Sequence, residues 1–141
     1  MRIRKTIIAK ITETLNKVGS VKAVLAYPAT KIVTYPSAVF YEDSFDNSFD
    51  SNNENFKILK FKLWVVVGTP QKERVDIFSD VLPNVVDDVV SQFDEDWNGG
   101  TIDGHRVWSI INSGTWSMSV VQNGLEATAE LDLLVKLLTS N

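Results

Sequence analysis

The chain has no cysteine and a single histidine among its 141 residues. Without cysteine there is no disulfide framework and no thiolate metal site, a composition that suits a reducing compartment. With His105 as the lone imidazole, a nitrogen–sulfur metal centre is nearly excluded as well. No Gly-x-Ser-x-Gly elbow supports a Ser–His pair, and no Gly-x-x-x-x-Gly-Lys-Ser/Thr or Gly-x-Gly-x-x-Gly loop is present to cradle phosphate. The longest uninterrupted apolar run, Leu63 to Val67, is far too short to span a bilayer. The basic N-terminal residues are not followed by an apolar stretch, so neither a secretory signal nor a membrane partner is expected. Positive charge is also in deficit: 14 Lys and Arg against 18 Asp and Glu give −4, whereas a duplex-binding protein is more often basic.

What is present is the material of one ordinary domain, residues 1–141. Its 44% hydrophobic and 23% charged residues are typical of a globular chain. A chain this long buries roughly two-thirds of its unfolded surface, enough for a self-sufficient core. The charge is segregated: residues 1–35 hold seven bases and one acid (+6), and residues 36–141 hold seven bases and 17 acids (−10). Such a dipole favours head-to-tail contact between copies or stacking between unlike partners, although two separately solvated faces would look the same in sequence.

The most distinctive segment is acidic and studded with aromatics. From Tyr41 to Phe56 it carries five carboxylates and no base, with Phe45 and Phe49 in its middle. Self-repulsion should keep it solvated, and long loops without structure of their own are either functional or disordered. It reads as an arm that becomes ordered against a neighbouring subunit, or else as a mobile surface loop. As an arm it lies outside the core, so deletion of residues 44–55 is expected to leave the fold intact.

Around it the elements follow from periodicity. Ile3, Ile7, Ile11, Leu15 and Val18 form one apolar stripe, predicting a helix over 2–18 that Gly19 stops. Val21 to Ala26 reads as a short strand, and Lys31 to Pro36 as a connecting or edge segment. Ser37 to Glu42 and Phe56 to Val67 read as the strands of a hairpin; Leu59, Phe61 and Leu63 alternate there with Lys60, Lys62 and Trp64. Thr69 and Pro70 suit a helix start, and Val75, Phe78, Leu82, Val85, Val89 and Phe93 predict a second core-facing helix, kinked or broken at Pro83. Asp94 to Gly100 closes it, and Thr101 to Gly104 turns into a strand through Ile111. Asn112-Ser113-Gly114 signals a tight turn, with Thr115 to Val121 returning. Asn123-Gly124 is a further turn before the regular alternation from Leu125 to Lys136. The expected fold class is α+β: a mixed or antiparallel β-sheet with two helices packed on one face and a long projecting β-hairpin, the arm covering about 37–67 and its acidic tip 43–55.

Candidate chemistry is sparse. Asp43, Asp46, Asp50 and Glu54 invite a calcium reading but lack the tight-turn glycine of an EF-hand loop. Asp94-Glu95-Asp96 reads as a solvated helix end, and His105 as a turn or surface histidine. Trp64, Trp97, Trp108 and Trp116 read as core and interface, with Trp97, set between acids and glycines, expected to be partly exposed at a contact. The residues expected at a subunit or partner interface are therefore Phe45, Phe49, Asp43, Asp46, Asp50, Trp97, Arg2, Arg4 and Lys5; no catalytic, cofactor-binding or metal residue is expected.

Four stretches carry a resemblance over most of the chain. They are Arg2 to Ile11 running into Val21-Lys22-Ala23-Val24; Thr34-Tyr35-Pro36-Ser37-Ala38-Val39; the helix after Thr69-Pro70; and Thr101-Ile102-Asp103-Gly104 with the strands that end in Leu125 to Leu137. In element order, length and loose pattern the chain resembles the tail terminator (tail completion) proteins of long-tailed bacteriophages. Related neck proteins share several of these features. The resemblance implies a non-enzymatic, homo-oligomeric ring, hexameric in that family, at the head-proximal end of the virion tail, assembled in the host cytoplasm. Such a ring caps the tail tube, stops its polymerisation and offers a surface to the head–tail connector. Its partners would be the tail tube protein, the connector or head-completion protein, and genomic DNA sliding through the bore without sequence-specific binding. An acidic bore would suit that passage, because phosphate affinity depends on cationic contacts. Two alternatives stay open: another neck or tail ring component (a head-completion or tube-initiating protein), and an unrelated small-ligand-binding or enzyme-subunit α+β domain.

Overall fold

The computed structural model describes residues 3–27, 34–49, 54–70, 76–121 and 124–140, with backbone alone at 48–49, 54–55, 98–99 and 139–140. In chain order the elements are helix α1 (Ile3–Asn16), strands β1 (Ala23–Leu25), β2 (Ser37–Phe49) and β3 (Glu54–Thr69), a π-helical turn (Ile77–Val81), helix α2 (Leu82–Asp96), and strands β4 (Asn98–Ile102), β5 (His105–Val121) and β6 (Gly124–Ser140). The class is α+β. The six strands form one mixed sheet in the order β1-β2-β3-β6-β5-β4. Only the β1–β2 pair is parallel; the others are antiparallel.

The sheet is built around β3 and β6, paired from Glu54↔Ser140 to Thr69↔Leu125. Their alternation sorts the two faces. Leu59, Phe61, Leu63, Val65 and Val67 of β3 and Leu125, Ala127, Ala129, Leu131, Leu133, Val135 and Leu137 of β6 are all buried. They share one apolar core with Ile7, Ile11 and Leu15 of α1 and Leu82, Val85, Val86, Val89 and Phe93 of α2. The opposite face carries Lys60, Lys62, Glu130 and Asp132, as period two requires.

The structure revises several sequence expectations. The acidic segment is not an irregular loop: residues 41–49 are strand, paired with β3 from Tyr41↔Lys62 to Phe49↔Asn55 across one bulge between Glu42 and Ser44. Its self-repulsion is relieved from elsewhere in the chain. Glu42 accepts from Arg4 Nε at 2.9 Å, and Asp46 pairs with Lys60 at 2.8 Å. Nor is this hairpin a bare two-stranded arm, because β6 accompanies β3 as far as Glu54. Asn112-Ser113-Gly114 is not a turn either. β5 runs unbroken through it with a bulge between Ile111 and Ser113, and a bulge uses the same small residues as a turn. At Gly114 a Cβ would stand 2.5 Å from Leu131 Cδ2, so a larger residue there would have to push that side chain aside.

Helix boundaries shift for local reasons. α1 ends three residues before Gly19, closed by Lys17 N–H to the Thr14 carbonyl at 3.2 Å and Val18 N–H to Leu15 at 3.1 Å, and Gly19 is not left-handed. Thr69 is the last residue of β3, and residues 71–75, including Val75, lie outside the described residues. The break expected at Pro83 is accommodated by the π-helical turn, where Leu82 N–H reaches back to the Ile77 carbonyl, and Pro83 falls in the first turn of α2 where no amide is needed. The wider turn changes the helical phase, so Ile77 is buried while Phe78 stays 37% exposed. Arg2, Asp50, the 31–33 segment and Asn123 also lie outside the described residues.

Candidate interaction surface

The geometry of the sheet edges begins at Trp97. Its ring stacks on Phe93 with centroids 6.0 Å apart, its Nε1–H donates to Thr14 Oγ1 at 3.0 Å, and Lys10 Nζ lies 5.0 Å from the ring centroid. Trp97 is 3% exposed, so the expected exposed contact residue is instead a pin between α1 and the end of α2. The acids and glycines beside it in sequence misled, because one indole face and one N–H are satisfied by residues more than eighty positions away.

With Trp97 pinned, β4 starts at Asn98 and is short. It turns through Asp103 (φ 51°) and Gly104 (φ 83°), two left-handed residues of the kind a tight hairpin needs. β4 therefore pairs with β5 only from Ile102↔His105 to Asn98↔Trp108. From Ser109 to Val121, β5 has β6 on one side and, among the described residues, no strand on the other. That length of edge holds no charged residue.

Its side chains are sorted by face. The register rows Val65–Ala129–Trp116, Val67–Ala127–Met118 and Thr69–Leu125–Val120 continue the core face of the sheet onto β5. Ala127, Ala129 and Leu125 are buried, but Trp116, Met118 and Val120 are 49%, 45% and 70% exposed. On the other face, Ser113, Thr115, Ser117 and Ser119 present hydroxyls. The apolar face thus outruns whatever covers it in a single copy and ends on an open hydrogen-bonding edge. Periodicity marks Trp116 to Val120 only as a strand; the missing information is that β4 begins at Asn98 and reaches no further along β5 than Trp108.

The opposite edge belongs to β2. β1 pairs with it only at Ser37 to Val39, so from Phe40 to Phe49 it too has no outer strand among the described residues. Phe45 stands on the core face, 53% exposed, with the Arg4 guanidinium 4.6 Å from its ring centroid. The structure thus brings together Phe45, Arg4 and Glu42 here, with Asp46 on the far face and Asp43 at the bulge; Lys5 is exposed on α1. The side chain of Phe49 is outside the described residues.

A polar network crosses the outer face. Lys62 Nζ donates to Asp132 at 2.7 Å and lies 3.6 Å from Glu130, while Ser113 Oγ donates to Asp132 at 2.8 Å. Two shallow clefts of about 280 and 320 Å³ meet at Lys62 and Asp132, and Asp43 lines the larger one. The Asp132 hydrogen bond holds the Lys62 ammonium above its ordinary value, and the Lys62 and Ser113 bonds hold Asp132 below its own. Tyr35, partly buried and donating to Glu126 at 2.8 Å, is pushed up to about 12. Each shift leaves its group in its ordinary form at pH 7: ammonium, carboxylate and neutral phenol. Among the described residues, no group of three or more acids or histidines converges to hold a metal ion, and no helix is long and apolar enough to cross a membrane.

No protein-family model and no curated protein sequence matches this chain.

Proposed function

We propose that this protein is a structural subunit that acts by assembling with copies of itself, as the ring that caps a phage tail tube, halts its growth and offers the head-joining surface. The observation that carries the reading is the charge-free free edge of β5 with Trp116, Met118 and Val120 exposed by 45% or more on its core face. A long, flat, apolar edge is a hazard that single-copy proteins blunt with charge, proline or a covering element. Both free edges carry one bulge, but nothing charged stands on the β5 edge, whereas the β2 edge carries acids. The contrast favours a subunit whose β5 edge is meant to be covered.

The finer architecture belongs to this proposal: both helices lie on the core face of the sheet, and the β2–β3 hairpin reaches past them toward a neighbouring copy or the tube. The shared core of α1, α2 and the inward residues of β3 and β6 supports the first point. The half-exposed Phe45 beside Arg4 supports the second. The charge segregation along the chain, +6 in residues 1–35 and −10 in the remainder, suits the unlike contacts of a head-to-tail ring, with Arg4 and Lys17 already paired to Glu42 and Asp96 within one copy. On this reading the protein is not an enzyme and needs no cofactor, and DNA passes a largely acidic surface without sticking.

The test is negative-stain imaging and mass photometry of the purified chain, alone and with polymerising tube subunits. Six-fold rings, or tubes whose growth stops with this protein at one end, are expected. A monomer at every concentration that neither binds tubes nor limits their length overturns the proposal.

A further inference from the structure

We infer that the seam between neighbouring copies is a continuous β-sheet, in which the free edge of β5 on one copy pairs antiparallel with the free edge of β2 on the next, placing Phe45 beside Trp116. This rests on the head-to-tail assembly proposed above and names its interface.

Four observations on the same sheet carry it. The first is shape. Each edge is stepped: β1 covers the β2 edge only at Ser37–Val39, and β4 covers the β5 edge only from His105 to Trp108. Following the register across the sheet, the covered part of β2 lies level with Trp64–Val66 and Thr128–Glu130, while the covered part of β5 lies level with Lys136–Leu138. The covered parts are therefore at opposite ends. A copy shifted along the strand direction can bring its free β2 residues 40–49 onto free β5 residues 109–121 without its β1 meeting the neighbour's β4.

The second is direction. β2 is antiparallel to β3, β3 to β6, and β6 to β5. β5 therefore runs opposite to β2, and a neighbour kept in the same orientation presents β2 antiparallel to β5. A ladder of about ten residues, interrupted at the Glu42/Ser44 and Ile111/Ser113 bulges, still exchanges at least about five hydrogen bonds, within the range of a standard protein–protein interface.

The third is which side chains meet. Phe45 faces the core side of β2, opposite Leu59, and Trp116, Met118 and Val120 face the core side of β5, opposite Ala129, Ala127 and Leu125. With the two free edges centred on one another, Phe45 falls opposite the stretch around Gly114 to Trp116. Two half-exposed aromatic rings on one face of an extended sheet would then cover each other.

The fourth is charge, which selects among pairings. Two β2 edges would set Glu42, Asp43 and Asp46 against their own kind, which is unfavourable directly across a strand pair. The β5 edge carries no charge from 109 to 121 and imposes no such repulsion. Glu42 and Asp46 already have Arg4 and Lys60 as partners within their own copy, so docking against a neutral strand strands neither of them.

The chain has no cysteine, so introduced thiols report contact without background. The experiment mixes purified full-length Phe45→Cys with Trp116→Cys under mild oxidation, and in parallel with Met118→Cys under a thiol-reactive cross-linker that spans about 8 Å, the separation of diagonal neighbours across a strand pair. Each single variant is first checked for an unchanged far-ultraviolet spectrum and a cooperative melt; the 45% exposed Met118, on the same face, keeps the test open if Trp116→Cys misfolds. Expected is a dimer-mass product in the mixtures only, and a ladder of covalent oligomers in the Phe45→Cys/Trp116→Cys double variant. Ser117→Cys, on the opposite face, should cross-link with Phe45→Cys at least tenfold less. Cross-linking of the β5 variants with themselves alone indicates a two-fold seam and overturns the inference, as does absence of any mixed product. If rings form by electron microscopy without mixed cross-links, the seam fails and the assembly reading survives. If neither rings nor cross-links form, both fail.

Discussion

Trp97 shows how one residue can carry opposite meanings in sequence and in space. Flanked by acids and glycines it reads as exposed; folded, it stacks on Phe93 and donates to Thr14, whose own hydroxyl donates to the Lys10 carbonyl at 2.8 Å. Trp97→Phe removes the buried N–H bond and part of the ring, and should lower stability by about 1–3 kcal/mol. Chemical denaturation would read this, with assembly at native temperature unchanged. The ion pairs give a pH prediction at the same scale. Asp132 is held below its ordinary value by Lys62 and Ser113. Burial alone would raise Asp96, but bonds from Lys17 and Gln92 outweigh it and lower it. A depressed carboxylate stabilises the fold above its unfolded value of about 3.9, and that contribution is lost as pH falls through the lower folded value. Melting temperature should therefore fall as pH drops below about 4, and Asp132→Asn should flatten part of that fall. An unchanged slope in Asp132→Asn would show that its pairing with Lys62 stabilises nothing.

The elements that could be read from sequence are those whose stabilising partners lie within the same stretch. The four-residue spacing of Ile3, Ile7, Ile11 and Leu15 and the alternation of β6 are local patterns, and both fold as read. The acidic strand could not be read in this way. Two of its charges are matched from elsewhere, Glu42 by Arg4, thirty-eight positions earlier, and Asp46 by Lys60 across the hairpin. Asn112 to Gly114 failed for a related reason, since turn and bulge draw on the same residues and only the register with β6 tells them apart. Of the candidate surface, sequence marks Phe45 as an aromatic among acids, whereas the open edge of β5 depends on where β4 begins. A consequence follows for the hairpin. Deleting residues 44–55 removes every β2–β3 pair from Ser44↔Lys60 to Phe49↔Asn55 and uncovers the fully buried Leu59. The loss should be at least about 2 kcal/mol, the scale of emptying a core leucine site. That corresponds to a fall of several degrees in Tm by calorimetry; an unshifted transition would restore the view of this segment as a dispensable loop. Phe45→Ser, by contrast, alters a half-exposed ring and should cost the single copy about 1 kcal/mol or less.

At the scale of the whole molecule, two forces could hold copies together, and they respond to salt in opposite ways. The +6 start and −10 remainder attract across an exposed interface, and that attraction is screened over about 3 Å at 1 M salt. Strand pairing along β5, with Trp116, Met118 and Val120 withdrawn from water, is not weakened by screening, because apolar burial carries no charge. If the β5 edge supplies the seam, oligomers measured by mass photometry should persist from 0.05 to 1 M NaCl while their rate of formation falls, since long-range charge then only steers the encounter. Met118→Lys places an ammonium in the apolar row and should abolish assembly at both salt concentrations while leaving the single copy folded, because the native side chain is already 45% exposed. Oligomers that dissolve at 1 M salt, or that tolerate Met118→Lys, would assign the cohesion to the charge dipole and leave the open edge of β5 without a part in it.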